Sequence, residues 1–253
     1  HLSIRRQRQM CIRDRFEEKK YLRSYLFRTI HSMDIIKYDI YSGPNIGIYT
    51  RVNDDFVFLP NGFADTKSEK LSEYLEVSPL EISVANSRSL GILMVVNNHG
   101  VLLPSTCSEG ELEHIKKNTD LNVEILDVKN NALGNMMSVN DKGGIVSPLI
   151  PKEDLQIIKD VLDIEVMQFK IAGFQQVGAV MTASENGIVV HPETDDEDMK
   201  TISNLLGGNI EAATINGGIP FVSSGILANN NAVVVGTLTN GPEIMMLTRA
   251  FLH

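Results

Sequence analysis

Four prolines, Pro60, Pro104, Pro148 and Pro192, stand 44 residues apart, and one more step of that length lands on Gly236. Each closes a similar phrase: "VNDDFVFLP" (Val52 to Pro60), "VNNHGVLLP" (Val96 to Pro104), "VNDKGGIVSP" (Val139 to Pro148), "ASENGIVVHP" (Ala183 to Pro192) and "ANNNAVVVG" (Ala228 to Gly236). A period between 20 and 50 residues means units that cannot bury their apolar faces alone and must stack or circle. Five such units dictate the architecture before any single residue is interpreted.

Each phrase reads as two short strands joined by an Asn/Asp/Gly turn. A helical stretch follows, with apolar residues at helical spacing: Leu112 and Ile115; Leu155, Ile158 and Leu162; Met199, Ile202 and Leu206; Ile244, Leu247 and Phe251. A third strand then begins with a recurring acid, in "LEISVA" (Glu81), "VEILDV" (Glu124), "IEVMQF" (Glu165) and "IEAATI" (Glu211). The unit is ββαβ. An all-β propeller of WD type has no helix per blade and carries a Trp signature, whereas this chain has no Trp; HEAT-type repeats lack strands. The expected architecture is a five-bladed α/β propeller. Its fifth unit ends without a third strand, and the orphan strand "DIIKYDIY" (Asp34 to Tyr41) is expected to supply it and cover the free edge.

With 253 residues and 43% apolar composition, the chain can build a full core without cross-links. Cys11 and Cys107 form neither a disulfide framework nor a metal-ligand pair, which suits a cytoplasmic location. Nine of the 23 Lys/Arg and three of the 32 Asp/Glu lie in residues 1–32, which leaves 14 basic against 29 acidic side chains in the rest. Such a body repels a bare phosphate backbone over most of its surface. The expected organisation is a non-native or disordered basic leader over 1–32 and a single five-repeat domain over 33–253. A basic arm that touches RNA is the alternative reading of the leader.

Catalytic signatures are sparse. There is no phosphate-binding loop, no G-x-G-x-x-G, no nucleophile elbow and no H-E-x-x-H. His99 lies in a turn and His191 before a repeat proline, both read as solvated or hydrogen-bonded residues. Cys107 enters a helix beside Glu109, Glu111 and Glu113, which oppose a reactive thiolate. The run "ETDDED" (Glu193 to Asp198) reads as a helix cap rather than a metal site. Glu81, Glu124, Glu165 and Glu211 either line a central channel or pair with a neighbouring blade.

The glycines carry the candidate site. "NIG" (Gly47), "SLG" (Gly91), "ALG" (Gly134) and "QVG" (Gly178) open the first strand of four units. In a ring of like blades they share one face and form a small-residue rim where another backbone can come close. Their followers Ile48, Ile92, Asn135 and Ala179 carry no charge, and a flat uncharged rim on an acidic protein is a docking face. The same glycines also serve tight strand crossing near the axis, and the two readings are compatible.

"NSRSLG", "VNNHGVLLP", "NNALGNMMSVND", "ENGIVVHPETDDEDMKTISNLLGG", "NGGIPFVSSGILANNNAVVVG" and "GPEIMML" together resemble the translation initiation factor 6 family in its archaeal form, from about Met33 onward. The resemblance implies the pentein fold, a five-bladed α/β ring with pseudo-fivefold symmetry. It implies a monomeric, non-catalytic factor, with a part in large-subunit maturation. Such a factor binds the intersubunit face of the large ribosomal subunit, beside a universal ribosomal protein next to the sarcin-ricin loop. Contact with rRNA is limited, and the bound factor keeps the small subunit from joining. Release would fall to other factors including a GTPase; no cofactor, metal or membrane is implied. Asn135, after the specific "ALG" block, is the first choice for the docking face. Pentein amidino-group enzymes use a late Cys, and between Phe221 and Leu252 this chain has neither Cys nor His. A generic repeat scaffold for another protein is the remaining alternative.

Overall fold

In a computed structural model the residues described are 34–252. The leader expected over 1–32, Cys11 included, lies outside them. After β1 (Asp34–Lys37) the first repeat runs α1 (Ile46–Tyr49), β2 (Arg51–Val52), β3 (Phe56–Pro60), α2 (Asp65–Leu75) and β4 (Ser78–Ile82). The second runs α3 (Leu90–Leu93), β5 (Val95–Val96), β6 (Gly100–Pro104), α4 (Glu109–Asn118) and β7 (Asn122–Leu126). The third has α5 (Leu133–Met136), β8 (Met137–Val139), β9 (Gly143–Val146), α6 (Leu155–Leu162) and β10 (Glu165–Gln168). The fourth has α7 (Val177–Val180), β11 (Met181–Ala183), β12 (Gly187–Val190), α8 (Asp196–Leu206) and β13 (Asn209–Ala212). The fifth has a 3-10 turn (Val222–Gly225), β14 (Ile226–Ala228), β15 (Ala232–Val235) and α9 (Gly241–Phe251).

The strands form five three-stranded sheets, four of them drawn from one repeat each. In those four the first two strands pair antiparallel across the turn and the third returns parallel through the helix, as in Val95↔Leu102 and Leu102↔Glu124. The fifth sheet has the order β1-β15-β14, so the orphan strand does take the vacant place, with Tyr38 N–H donating to Val235 O at 2.8 Å.

The second strand of each repeat is buried on both faces, which is why "VLLP", "GIVV" and "AVVV" are unbroken apolar runs. Alternate residues serve different cores. Leu102 packs with Met137, Val146, Ile158 and Leu162 of the third repeat, while Val101 and Leu103 pack with Phe58 and Ile82 of the first. Leu227 and Val234 of the fifth repeat share a core with Ile40, Ile46, Val57 and Leu59. Each such side chain, fully withdrawn from water, stabilises by roughly 1.5–3 kcal/mol, and none of that is available to a repeat alone.

Two registers differ from the sequence reading. The C=O that closes the turn after the second strand belongs to Pro60, Pro104, Ser147, His191 and Gly236, accepting from the N–H three residues on. Pro148 and Pro192 therefore sit one place beyond their counterparts, because the second repeat is a residue shorter. Second, Gly47, Gly91, Gly134 and Gly178 do not open strands. They are the second residues of the one-turn helices α1, α3, α5 and α7.

Candidate functional site

The one-turn helices contact each other in succession, α1 with α3, α3 with α5, α5 with α7, α7 with the 3-10 turn of the fifth repeat, and that turn with α1. The glycines make this approach possible. A Cβ on Gly91 would lie 1.8 Å from Gly47 O, one on Gly134 2.1 Å from Gly91 O, and one on Gly178 2.2 Å from Gly134 O. A Cβ on Gly47 would lie 1.9 Å from Ser223 O. Ser223 is the fifth member, its hydroxyl donating to Ala179 O at 3.2 Å. The backbone that comes close to the glycines is thus the chain's own, and all four are buried.

What the glycine ring presents outward is its followers. Ile48, Ile92, Asn135 and Ala179, with Ser224 as the fifth, are half-buried and uncharged. The Asn135 side-chain amide has no hydrogen-bond partner among the described residues. Of the loops just before these turns, two add apolar surface: Tyr41 before α1, and Ile219 and Phe221 before the 3-10 turn, are each 42% exposed. Phe174 stacks edge-on against Phe221 with ring centroids 5.8 Å apart, and the Arg88 guanidinium lies 5.9 Å from the Tyr41 ring.

These loops hold left-handed backbone at non-glycine residues, Tyr41, Ser42, Ala85, Asn86, Ala172 and Asn216. Two of them are held by carboxylates. Glu111, the third residue of α4 in a capping box with Ser108, also accepts the N–H groups of Ala85 at 3.2 Å and Asn86 at 2.9 Å. Glu243 does the same for α9, accepting Gly217 N–H at 3.0 Å and Gly218 N–H at 2.8 Å. Burial pushes the Glu111 carboxyl up, but the N–H groups of Asn86 and Ser108 and the hydroxyls of Ser83 and Ser108 outweigh it and hold it at about 2. Glu243 is lowered in the same way by Asn240, Gly217, Thr214 and Gly218. Neither loop-holding role was read from the sequence; "SEGE" and "NGPE", each opening a helix, are the capping-box signals that mark these acids.

At the opposite end of the sheets an asparagine recurs at 53, 97, 140 and 229, with Ser184 in the fourth repeat. Each Oδ1 accepts N–H groups of its own turn, as Asn140 does from Lys142 and Gly143. Each Nδ2 reaches the next repeat: Asn53 to Asn97 O at 3.1 Å, Asn140 to Ser184 O at 3.1 Å and Leu206 O at 2.9 Å, Asn229 to Asn53 O at 3.2 Å and Leu75 O at 2.9 Å. In the sequence these residues read as turn formers only.

A model of the eIF-6 family matches residues 35–250. The chain belongs to the eIF-6 family. It is 61% identical over 219 residues to translation initiation factor 6 of Cenarchaeum symbiosum, covering 87% of this chain and 99% of that one. With the Nitrosopumilus maritimus protein of the same name it is 59% identical, over 87% and 100%. With that of Pyrococcus horikoshii it is 36% identical, over 86% and 98%. Among solved structures, a dimethylarginine dimethylaminohydrolase aligns over 48% of each chain with a TM-score of 0.34 and 11% identity, too distant to carry an argument.

The other candidate residues of this eIF-6 family chain fall into structural places. Glu81, Glu124, Glu165 and Glu211 lie on the third strands, at the edges of their sheets, and none lines the cavity bordered by the five first strands or the one at the asparagine turns. Glu124 and Glu165 face Lys116 and Lys159 of their own repeats rather than a neighbouring one. Cys107 is buried, and its thiol is pushed up to about 11 by burial and by Glu111. His99 is exposed in its turn, and His191 is buried with Nδ1 accepting from Glu193 N–H at 3.2 Å. Asp195 caps α8 by accepting from Asp198 N–H, with Asp196, Glu197 and Asp198 in its first turn. Among the described residues no group of three or more His, Cys, Asp or Glu is placed to hold a metal, and no helix is long and apolar enough to cross a membrane.

Proposed function

We propose that this protein is a translation initiation factor. In this reading it binds the intersubunit face of the large ribosomal subunit and keeps the small subunit away by occupying its place. The five sheets are read as a closed pentein propeller whose docking face is the end carrying Ile48, Ile92, Asn135 and Ala179, with Gly47, Gly91, Gly134 and Gly178 packed behind them. The observation that carries this reading is the unpartnered Asn135 amide in an uncharged ring, on an otherwise acidic body and within a family whose named relatives are initiation factors.

The chemistry favours a protein surface beside the sarcin-ricin loop over extended rRNA contact. An uncharged face flanked by Tyr41, Ile219 and Phe221 offers aromatic anchors and few phosphate partners. Affinity is then expected to fall only modestly with salt. The protein acts in the cytoplasm as a monomer, contributes to large-subunit maturation, turns nothing over, and leaves release to other factors including a GTPase.

Purified protein is expected to co-sediment with large subunits in a sucrose gradient and to suppress subunit joining. Asn135→Arg places a long charged side chain in the uncharged ring, at a cost of about 2–4 kcal/mol, which weakens binding roughly 30- to 1000-fold. Its melting temperature is expected to stay within a degree or two of the parent. Co-sedimentation with neither subunit overturns the reading, and an unaffected Asn135→Arg moves the docking face elsewhere.

A further inference from the structure

The five first strands, β2, β5, β8, β11 and β14, are the edge strands of their sheets and border an axial chamber of about 70 Å3. Equivalent positions in them, opposite Phe58, Leu102, Ile145, Val189 and Val234, are Arg51, Val95, Ser138, Thr182 and Leu227. Four are neutral and one is a cation. Arg51 Nη2 donates to the carbonyl oxygens of Gly91 and Gly134, and its remaining N–H groups have no protein acceptor among the described residues. Thr182 Oγ1, a buried hydroxyl oxygen on the same chamber, has no partner either.

No carboxylate among the described residues forms an ion pair with Arg51. Desolvation lowers its pKa to about 10, which leaves it charged at neutral pH. The nearest acids along the axis line a second cavity of about 40 Å3 at the asparagine end, and Val52, Val96, Val139, Ala183 and Ala228 border both cavities as an apolar collar. Beyond the collar Asp54 already accepts Asn98 Nδ2 at 2.7 Å, Asn230 Nδ2 at 2.7 Å and Asn230 N–H at 2.9 Å, and Asp141 accepts Asn98 N–H at 2.9 Å. Glu185 lines that cavity as well.

A part-buried cation with free donors, an unpartnered hydroxyl lining the same chamber and space for small solutes is the donor set of an anion site. We infer that the axial chamber binds a small monovalent inorganic anion of halide size at the Arg51 guanidinium, assisted by the Thr182 hydroxyl. The single positive charge and the small volume select against oxydianions and nucleotides. The collar keeps the bound ion apart from the mouth carboxylates.

Two measurements test this together. Crystals grown in bromide are expected to show an anomalous scattering peak in contact with Arg51. Melting temperature, followed at constant ionic strength while chloride replaces a bulky organic sulfonate, is expected to rise by about 3–5 °C per tenfold increase once chloride exceeds its dissociation constant. Arg51→Met is expected to abolish that rise, and Thr182→Val to reduce it. Should Arg51→Met not fold, Arg51→Lys takes its place and is expected to keep a chloride response. Absence of a bromide peak in the chamber overturns the proposal. So does a peak without any chloride dependence, which marks binding at crystal concentration only, and so does an equal chloride response in parent and Arg51→Met.

Discussion

Gly91 and Gly110 show how far a residue's meaning depends on what stands where its side chain would be. A Cβ on Gly91 would lie 1.8 Å from the Gly47 carbonyl oxygen and 2.9 Å from that of Thr50, both backbone atoms held by packing on two sides. A Cβ on Gly110, exposed in the first turn of α4, would meet nothing within 4 Å. The same substitution therefore has opposite signs. Gly91→Ala is expected to cost about 3 kcal/mol or more, because one-turn helices must separate to admit the methyl. Gly110→Ala is expected to stabilise by up to about 0.5–1 kcal/mol through the backbone freedom the unfolded chain loses. Urea denaturation of the two variants beside the parent checks both, and a stable Gly91→Ala would mean that the helices are not held as tightly as the geometry states.

At the scale of elements, the loops depend on helix ends that belong to their neighbours. Glu111 caps α4 and at the same time accepts from Ala85 and Asn86, whose left-handed backbone (φ 53° and 51°) needs support. With its folded pKa at about 2, below the ordinary glutamate value of 4.5, the carboxylate contributes stability that is fully present above about pH 4.5 and is lost as pH falls toward 2. Glu111→Gln is expected to be less stable than the parent by about 1–2 kcal/mol at pH 7. The gap between the two should narrow as pH drops below 4.5, since the carboxyl of the unfolded parent then takes up a proton that the folded one, at about 2, does not. Denaturant midpoints at pH 7 and pH 3.5 measure it; a gap that does not change with pH would assign the loss to shape rather than charge.

The same elements show what a sequence of this kind reveals. The number of repeats and the content of each were legible because period and apolar spacing are local along the chain, and Leu112 and Ile115 or Met199, Ile202 and Leu206 do lie on helices. The proline scale slipped by one residue in the third and fourth repeats because proline is tolerated both at the end of the strand and just past it. "NIGIY" and "SLGIL" read as strand openings because a four-residue helix is too short to show helical periodicity. The reach of Asn140 Nδ2 to Leu206 O, and of Arg51 to Gly134 O, joins residues 66 and 83 apart. No local pattern encodes such contacts. Of the face proposed for docking, the uncharged followers of the glycines are readable in the sequence, whereas the exposure of Tyr41, Ile219 and Phe221 emerges only once turns far apart in the chain lie at one end of the sheets.

For the whole molecule, the decisive join is the one between its first and last described repeats. Ile40 is fully buried in a core that also holds Leu227 and Val234, and Asp39 accepts from Thr237 N–H at 2.9 Å. The other two cores described above are likewise shared by adjacent repeats, so none of the three belongs to one repeat alone. If stability were a sum of nearly independent units, weakening this join would free one end and leave the rest standing. Shared cores argue for the opposite, because the loss at Ile40 is passed to Ile46, Val57 and Leu59 and through them to the second sheet. Ile40→Ala is expected to cost about 2–4 kcal/mol. Far-UV and near-UV circular dichroism should still report one coincident transition with an unchanged denaturant slope. An early, separate transition in that variant, or a fall in slope, would show that the terminal repeats open as a unit of their own and that the join fastens the ends without governing the whole.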